Sequence, residues 1–299
     1  MLNYLTFIAA FAGFYALLSL SLVLVWGRTG MVNLGVVGFY ALGAYTSALL
    51  VTRLDLPIAI GWVCATLVAA ACGAGLTWVT RRLRGDYLGI VTLGFAELVR
   101  SVATNETWLT KGSDGISGIP GPFKAAMGTQ FNLFFSVLTW IVVAVVCLLA
   151  VRLLDAPYGR VLMAIRDDAE VTGMAGKNVV RFKIGIFAIG SAVVGLAGAM
   201  YAHFTSYIVP DIFSLMLTMY VFLAATGGGS TRVAGAVIGG IATLVFLEGS
   251  RFLAEYIPGI SPLQAAAVRE MLTGCALVCL LILRPGGWLR EKVPSSGRP

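Results

Sequence analysis

Charged side chains are scarce in this chain: Asp, Glu, Lys and Arg make up 12% of its 299 residues, where soluble domains carry about 25%. Histidine is nearly missing: His203 stands alone at the outer end of a span, where it reads as a boundary residue, so neither an HExxH zinc site nor a histidine-based catalytic set can be assembled. Cys64, Cys72, Cys147, Cys275 and Cys279 all lie in apolar runs without CxxC spacing, and read as small apolar helix residues, not metal ligands. The phosphate-binding pattern G-x-x-x-x-G-K-[ST] is absent. The N-terminus has no basic segment and no small-x-small cleavage site, so its first 27 residues read as a retained apolar span. Together these absences point away from an enzyme, a metalloprotein and an ATPase, and no cofactor or metal is expected.

Apolar side chains are abundant, at 59%. A soluble core could not hide that much, and a bilayer is the natural solvent, at about 20 apolar residues per helical span. Windows nearly free of charge run over 3 to 26, 31 to 52, 57 to 80, 86 to 104, 131 to 154, 182 to 203, 212 to 226, 233 to 252 and 265 to 283. The expected fold is therefore an all-α, polytopic helical membrane protein with about nine transmembrane helices, in one transmembrane domain over 1-299.

The net charge of +7 is spread over short segments and forms no basic face, which argues against nucleic acid. Arg28, then Arg81, Arg82 and Arg84, then Arg152 through Lys183, then Arg232, and finally Arg284, Arg290 and Lys292 fall on alternate loops. Lys and Arg excess marks the cytoplasmic side, which predicts an N-terminus outside and a C-terminus inside.

Two loops and two glycine clusters carry local chemistry. The outer loop, 105-130, is rich in Asp/Gly and Pro/Gly turns and offers Ser113, Asp114 and Gly115 as candidate docking residues for an external partner. The inner loop, 155-183, sets Val161, Leu162, Ile165 and Ala169 at helical spacing against Arg160, Arg166, Asp167, Asp168 and Glu170. It predicts one short amphipathic helix on the cytoplasmic surface, and its acidic residues disfavour simple adsorption to anionic lipid. Glycine interruptions recur at 27 to 35 and at 227 to 235, each followed by a helix of small residues. Paired interruptions of this kind point to a transport path, and close helix packing in lipid accounts for the same glycines. The polar residues Asn33, Thr92, Ser230 and Thr231, with Gly227, Gly228 and Gly229, are the candidate path residues. Glu97 with Arg100 and Glu248 with Arg251 are spaced to neutralise each other on one helix face, which leaves no unpaired acid for an ion-coupled carrier.

The inner segment Gly159-Arg160-Val161-Leu162-Met163-Ala164-Ile165-Arg166-Asp167-Asp168, with Glu170-Val171-Thr172 and Gly176-Lys177-Asn178-Val179, resembles the coupling loop of ABC importer permeases. The likeness is greatest to the M-type (LivM) membrane subunit of branched-chain amino acid importers. It continues in Gly85 to Arg100, Gly112 to Gly118, Phe187 to Met200 and the turn at 227 to 235, and covers about residues 15 to 285. The chain has Glu170-Val171-Thr172 where the family tends to Glu-Ala-Ala, and Ser230-Thr231-Arg232 where relatives often carry an aromatic residue. The resemblance implies a type II ABC importer permease in a bacterial inner membrane, working with a related H-type permease, two cytoplasmic ATPase subunits that bind the ATP, and a periplasmic solute-binding protein. Gly159, Arg160, Arg166, Asp167, Asp168, Glu170 and Gly176 would then form the ATPase-coupling element. Branched-chain or other apolar amino acids are the expected solutes. A urea or short-amide importer is the alternative within the same machinery, and an autonomous channel or ion-coupled carrier the alternative outside it.

Overall fold

A computed structural model describes residues 2–83, 85–255 and 262–283. The apolar windows fold into helices α1 (Leu2–Leu22), α2 (Val36–Arg53), α3 (Ile58–Val79) and α4 (Gly85–Asn105), followed by the short α5 (Thr107–Thr110) and α6 (Lys124–Met127). Then come α7 (Phe131–Asp155), α8 (Pro157–Asp167), α9 (Ala169–Met174), α10 (Val179–Thr205), α11 (Leu215–Gly228), α12 (Val233–Glu255) and α13 (Pro262–Leu283). A two-residue ribbon pairs β1 (Ile116–Ser117) antiparallel with β2 (Tyr207–Ile208). Among the described residues eight helices are long and apolar enough to cross a membrane, and α13 occupies the remaining window, 265 to 283. The chain is the all-α, polytopic membrane protein that its composition predicts.

Helix ends follow local chemistry. Pro157 stands in the first turn of α8, where its missing N–H leaves no bond unmade. Ser206 (φ 59°) closes α10 and Gly229 (φ 114°) closes α11 in left-handed backbone. Within the spans, Thr52, Thr66, Thr77 and Thr139 donate their hydroxyls to carbonyls four residues back. They therefore bring no unsatisfied donor into lipid.

The bundle is built around α1, whose apolar window is 78% buried, against 22% for α3 and 28% for α4 and α7. Helices α7, α10, α11 and α12 pack on α1, and α10 packs in turn on α2 and α3. Between helices in lipid, close contact of backbones replaces the hydrophobic effect as the driving force. Small residues make that contact here: a side chain at Gly43 would meet the backbone of Gly195, one at Gly198 the carbonyl of Tyr40, and one at Gly240 the backbone of Ala16. Where α1, α7 and α10 meet, Phe14 sets its ring edge-on to Phe135 at 6.4 Å and to Tyr201 and Phe204 at 6.0 Å. Such pairs contribute about 0.5–1.5 kcal/mol each beyond their buried area.

Connections gather at two ends of the bundle. At one end lie 28–35, 80–83, 155–178 and 229–232, joined by the bond from Arg166 to Gly27 and the contact of Gly27 with Ser230. At the other lie 54–57, 106–130 and 206–214, joined by the β ribbon and by Arg53, whose guanidinium donates to the carbonyls of Trp108 (2.5 Å) and Leu109 (2.7 Å). The expected charge asymmetry follows this division for Arg28, Arg81, Arg82, Arg152, Arg160, Arg166 and Arg232. Arg84, Arg284, Arg290 and Lys292 lie outside the described residues.

The structure corrects three readings. The second span begins at Val36 and not at 31, because residues 30 to 35 are non-helical. The inner loop forms two helices in place of one, since Asp168 takes extended backbone (φ −155°, ψ 110°) and caps α9. His203 is fully buried, not a boundary side chain.

Replacing Gly43 by Val is expected to abolish the folded, monodisperse permease or to lower its melting temperature sharply, since overpacking alone costs roughly 1–3 kcal/mol and the obstacle here is backbone. Gly94→Ala, which meets nothing within 4 Å, is expected to leave the melting temperature unchanged or raise it; fluorescence-detected size-exclusion and thermal unfolding of both variants check this.

Candidate functional site

The first glycine interruption begins where α1 widens into a π-helical turn, Val23–Gly27. Single π turns within α-helices occur mostly at functional positions. Beyond Thr29 the chain is non-helical to Gly35, with Gly30 at φ +71°. Irregular backbone at membrane depth must be satisfied within the protein. Gly30 N–H donates to the Trp26 carbonyl at 2.9 Å, Leu34 N–H to Thr92 Oγ1 at 3.0 Å, and Gly35 N–H to Asn33 Oδ1 at 3.0 Å. The Thr92 hydroxyl passes its own proton to the Gly89 carbonyl at 2.8 Å. Thr92 of α4 is thus held beside Asn33 by its bond to the next residue, Leu34. Asn33 is 1% exposed, and its Nδ2 amide has no hydrogen-bond partner among the described residues. A buried donor left open in this way costs about 1–3 kcal/mol, so the position calls for an explanation beyond stability.

The second interruption, Gly227 to Thr231, meets the first. Gly27 lies so close to the Ser230 carbonyl and the Thr231 backbone that a Cβ has no room. Gly228 packs against the carbonyl of Gly235, and Gly229 takes the positive φ that turns the chain into α12. Ser230 and Thr231 therefore lie at the Gly27 end of the 27–35 segment, and Asn33 with Thr92 at its other end.

The inner helix pair closes on the same place. Arg166 of α8 donates to the Gly27 carbonyl at 2.8 Å, and Arg28 reaches back to Met163 Sδ at 3.3 Å. The apolar face of α8 is seated on the transmembrane helices, with Leu162 fully buried and Ile165 3% exposed. Tyr158 donates to the Phe182 carbonyl at 3.2 Å, and its burial pushes the phenol above its ordinary range. Asp168 Oδ1 accepts from the amides of Glu170 (2.9 Å) and Val171 (3.0 Å), which starts α9 in a new direction. Gly159 is buried, whereas Arg160, Asp167, Glu170 and Gly176 are exposed. Arg166 is exposed too, as its place on the polar face predicts, and it still bonds inward to Gly27. Two residues that helical periodicity missed stand out: Val171 is 60% exposed and Met174 86%. An exposed apolar pair on a short polar helix is the signal that could have found them.

At the opposite end, Ser113 and Asp114 are exposed on a 3-10 turn, whereas Gly115 (φ +71°) is buried against the Ile208 carbonyl. Tyr207 donates to the Asp114 carbonyl at 3.1 Å and Lys124 to Ser206 Oγ at 2.7 Å. His203 fastens this loop from below. Its Nδ1 donates to the Pro120 carbonyl at 2.6 Å, and its Nε2 lies 2.8 Å from the Ser47 hydroxyl. The span carboxylates pair as their spacing predicts, Glu97 with Arg100 at 2.5 Å and Glu248 with Arg251 at 4.0 Å. Among the described residues no group of three or more His, Cys, Asp or Glu side chains could hold a metal.

Comparison with known proteins gives the chain a family. Residues 4–281 match the family described as the permease component of branched-chain amino acid transport systems. The chain is 33% identical to the high-affinity branched-chain amino acid transport permease LivM of Escherichia coli K12, over 94% of its own length and 69% of that protein. It is 26% identical to the probable LivM of Methanocaldococcus jannaschii, over 97% and 94% of the two chains. It is also 30% identical to LivH of Escherichia coli K12, over 92% and 91%. No solved structure matches. The chain belongs to the permease components of branched-chain amino acid transport systems.

Proposed function

We propose that this permease is the M-type membrane subunit of an ATP-driven importer, paired with an H-type permease, moved by two cytoplasmic ATPase subunits and supplied by a periplasmic binding protein. It sits in a bacterial inner membrane with the α8–α9 end in the cytoplasm, N-terminus outside and C-terminus inside. Branched-chain or other apolar amino acids are its solutes. The observation that carries this reading is the continuous contact from α8 through Arg166 and Gly27 to Ser230, because it links a cytoplasmic helix to both glycine interruptions at once.

The division at Asp168 supports different work for the two inner helices. Helix α8 is seated on the spans and moves with them, while α9 turns Val171 and Met174 outward for an ATPase subunit. Closure of the ATPases would push α9, and α8 would pass the displacement to the 27–35 segment and its unpartnered Asn33 amide. Alternating access then needs only two arrangements of these interruptions. The self-paired Glu97 and Glu248 disfavour a carrier driven by ions, since coupling ions are held by open carboxylates or carbonyls at membrane depth. On the outer face, Ser113 and Asp114 are the proposed contacts for the binding protein.

Two variants separate docking from transmission in the complex purified through a tag on this subunit. Val171→Asp combined with Met174→Asp is expected to release the ATPase subunits. Arg166→Gln is expected to retain them and their ATP hydrolysis while uptake in proteoliposomes falls by roughly ten- to a hundredfold, from the ~1.5–3 kcal/mol of a charge-assisted hydrogen bond. If the ATPases never co-purify, or the surface variant holds them as well as wild type, the coupling reading fails and an autonomous carrier takes its place.

A further inference from the structure

One cavity lies apart from the glycine interruptions. It opens at the α8–α9 end of the bundle, where the 29–31 segment, the end of α3 and the beginnings of α4 and α10 converge, and its volume is about 90 Å³. Arg81 and Lys183 line it together with Thr77, Thr80, Leu83 and Leu88. Lys183 is half-buried, and no acidic side chain pairs with it among the described residues. A partly desolvated ammonium at the end of a membrane span is costly unless an anion compensates it.

The donor set fits one class of anion. Thr77 and Thr80 have committed their hydroxyl protons to the carbonyls of Gly73 (2.9 Å) and Leu76 (2.7 Å). Donors toward a ligand therefore come from Arg81 and Lys183. Two cations with no carboxylate against them among the described residues suit phosphate oxygens, and phosphate-binding basic pockets between helices at a membrane face recognise lipid headgroups. The surroundings of the cavity are those of a membrane interface. Trp78 and Tyr87, next in sequence to the lining residues Thr77 and Leu88, are 57% and 64% exposed, and Arg81 lies 5.1 Å over the Trp78 ring. Exposed Trp and Tyr at span ends sit at headgroup level. Leu83, 41% exposed, adds an apolar rim on which the glycerol end of an acyl chain can rest.

We propose that this cavity binds the phosphate of an anionic phospholipid, with Lys183 and Arg81 as its ligands, and that the bound lipid braces the ends of α3, α4 and α10 against the 29–31 segment. The site depends on the chain spanning a membrane, but neither on the solute carried nor on which face is cytoplasmic.

The test is lipid-dependent stability of the purified permease complex, a readout separate from uptake. Short-chain phosphatidylglycerol, short-chain phosphatidylcholine and inorganic phosphate are titrated against the melting temperature of wild type, Lys183→Gln, Arg81→Gln and Lys183→Arg. Phosphatidylglycerol is expected to stabilise wild type and Lys183→Arg, and to bind about tenfold more weakly to Lys183→Gln and to Arg81→Gln, the loss of one charge-assisted contact. Because Arg81 is exposed, its variant serves if Lys183→Gln does not fold. Equal stabilisation of wild type and both Gln variants overturns the site, and so does stabilisation by inorganic phosphate without stabilisation by lipid.

Discussion

The approach of Gly27 to the Ser230 carbonyl is the contact on which the inner half of this permease depends. It can form only because Gly27 carries no side chain: a Cβ there would collide with the Ser230 carbonyl oxygen. Once it forms, the Gly27 carbonyl is left pointing at α8, where Arg166 accepts the task of satisfying it. A bilayer supplies no water to such a group, so an arginine held by α8 is tied to the turn by the same requirement that shapes the spans. The π turn at Val23–Gly27 belongs to this arrangement, since widening the last turn of α1 re-aims its final carbonyls away from the regular ladder.

Much of the fold was legible in hydropathy, because lipid imposes one rule on every span. Each apolar window became a helix, and even the self-pairing of Glu97 with Arg100 followed from spacing. The stretch from Met31 to Gly35 escaped that rule. Its Met31, Val32 and Leu34 read as helix, but the Leu34 N–H is satisfied by Thr92 on another span. Hydropathy cannot distinguish a bond made within a helix from one made across to a neighbour.

The candidate site was legible in parts and not as an arrangement. Asn33 and Thr92 were picked out for position and polarity, and their adjacency came from a bond spanning 58 positions, between Leu34 and Thr92. At the inner loop the helical period was read correctly for Leu162 and Ile165, and too far for the residues after Asp167. Asp168 ends that period by offering its carboxylate to two amides, a local preference that competes with helix continuation wherever Asp precedes Ala and Glu. His203 carried no sequence signal, since its partners Ser47 and Pro120 lie 156 and 83 positions away.

The fastening of the outer loop has a kinetic side. A carbonyl can only accept, so Pro120 fixes a proton of His203 on Nδ1. The ring, 2.8 Å from the Ser47 hydroxyl through Nε2, is held in one orientation between α2 and the loop, and the β ribbon clamps the loop a second time. A protein that lands on such a surface meets a shape already assembled. Little configurational freedom remains to be lost at each encounter, so the binding protein proposed for this face needs only brief visits, with no long-lived complex between them.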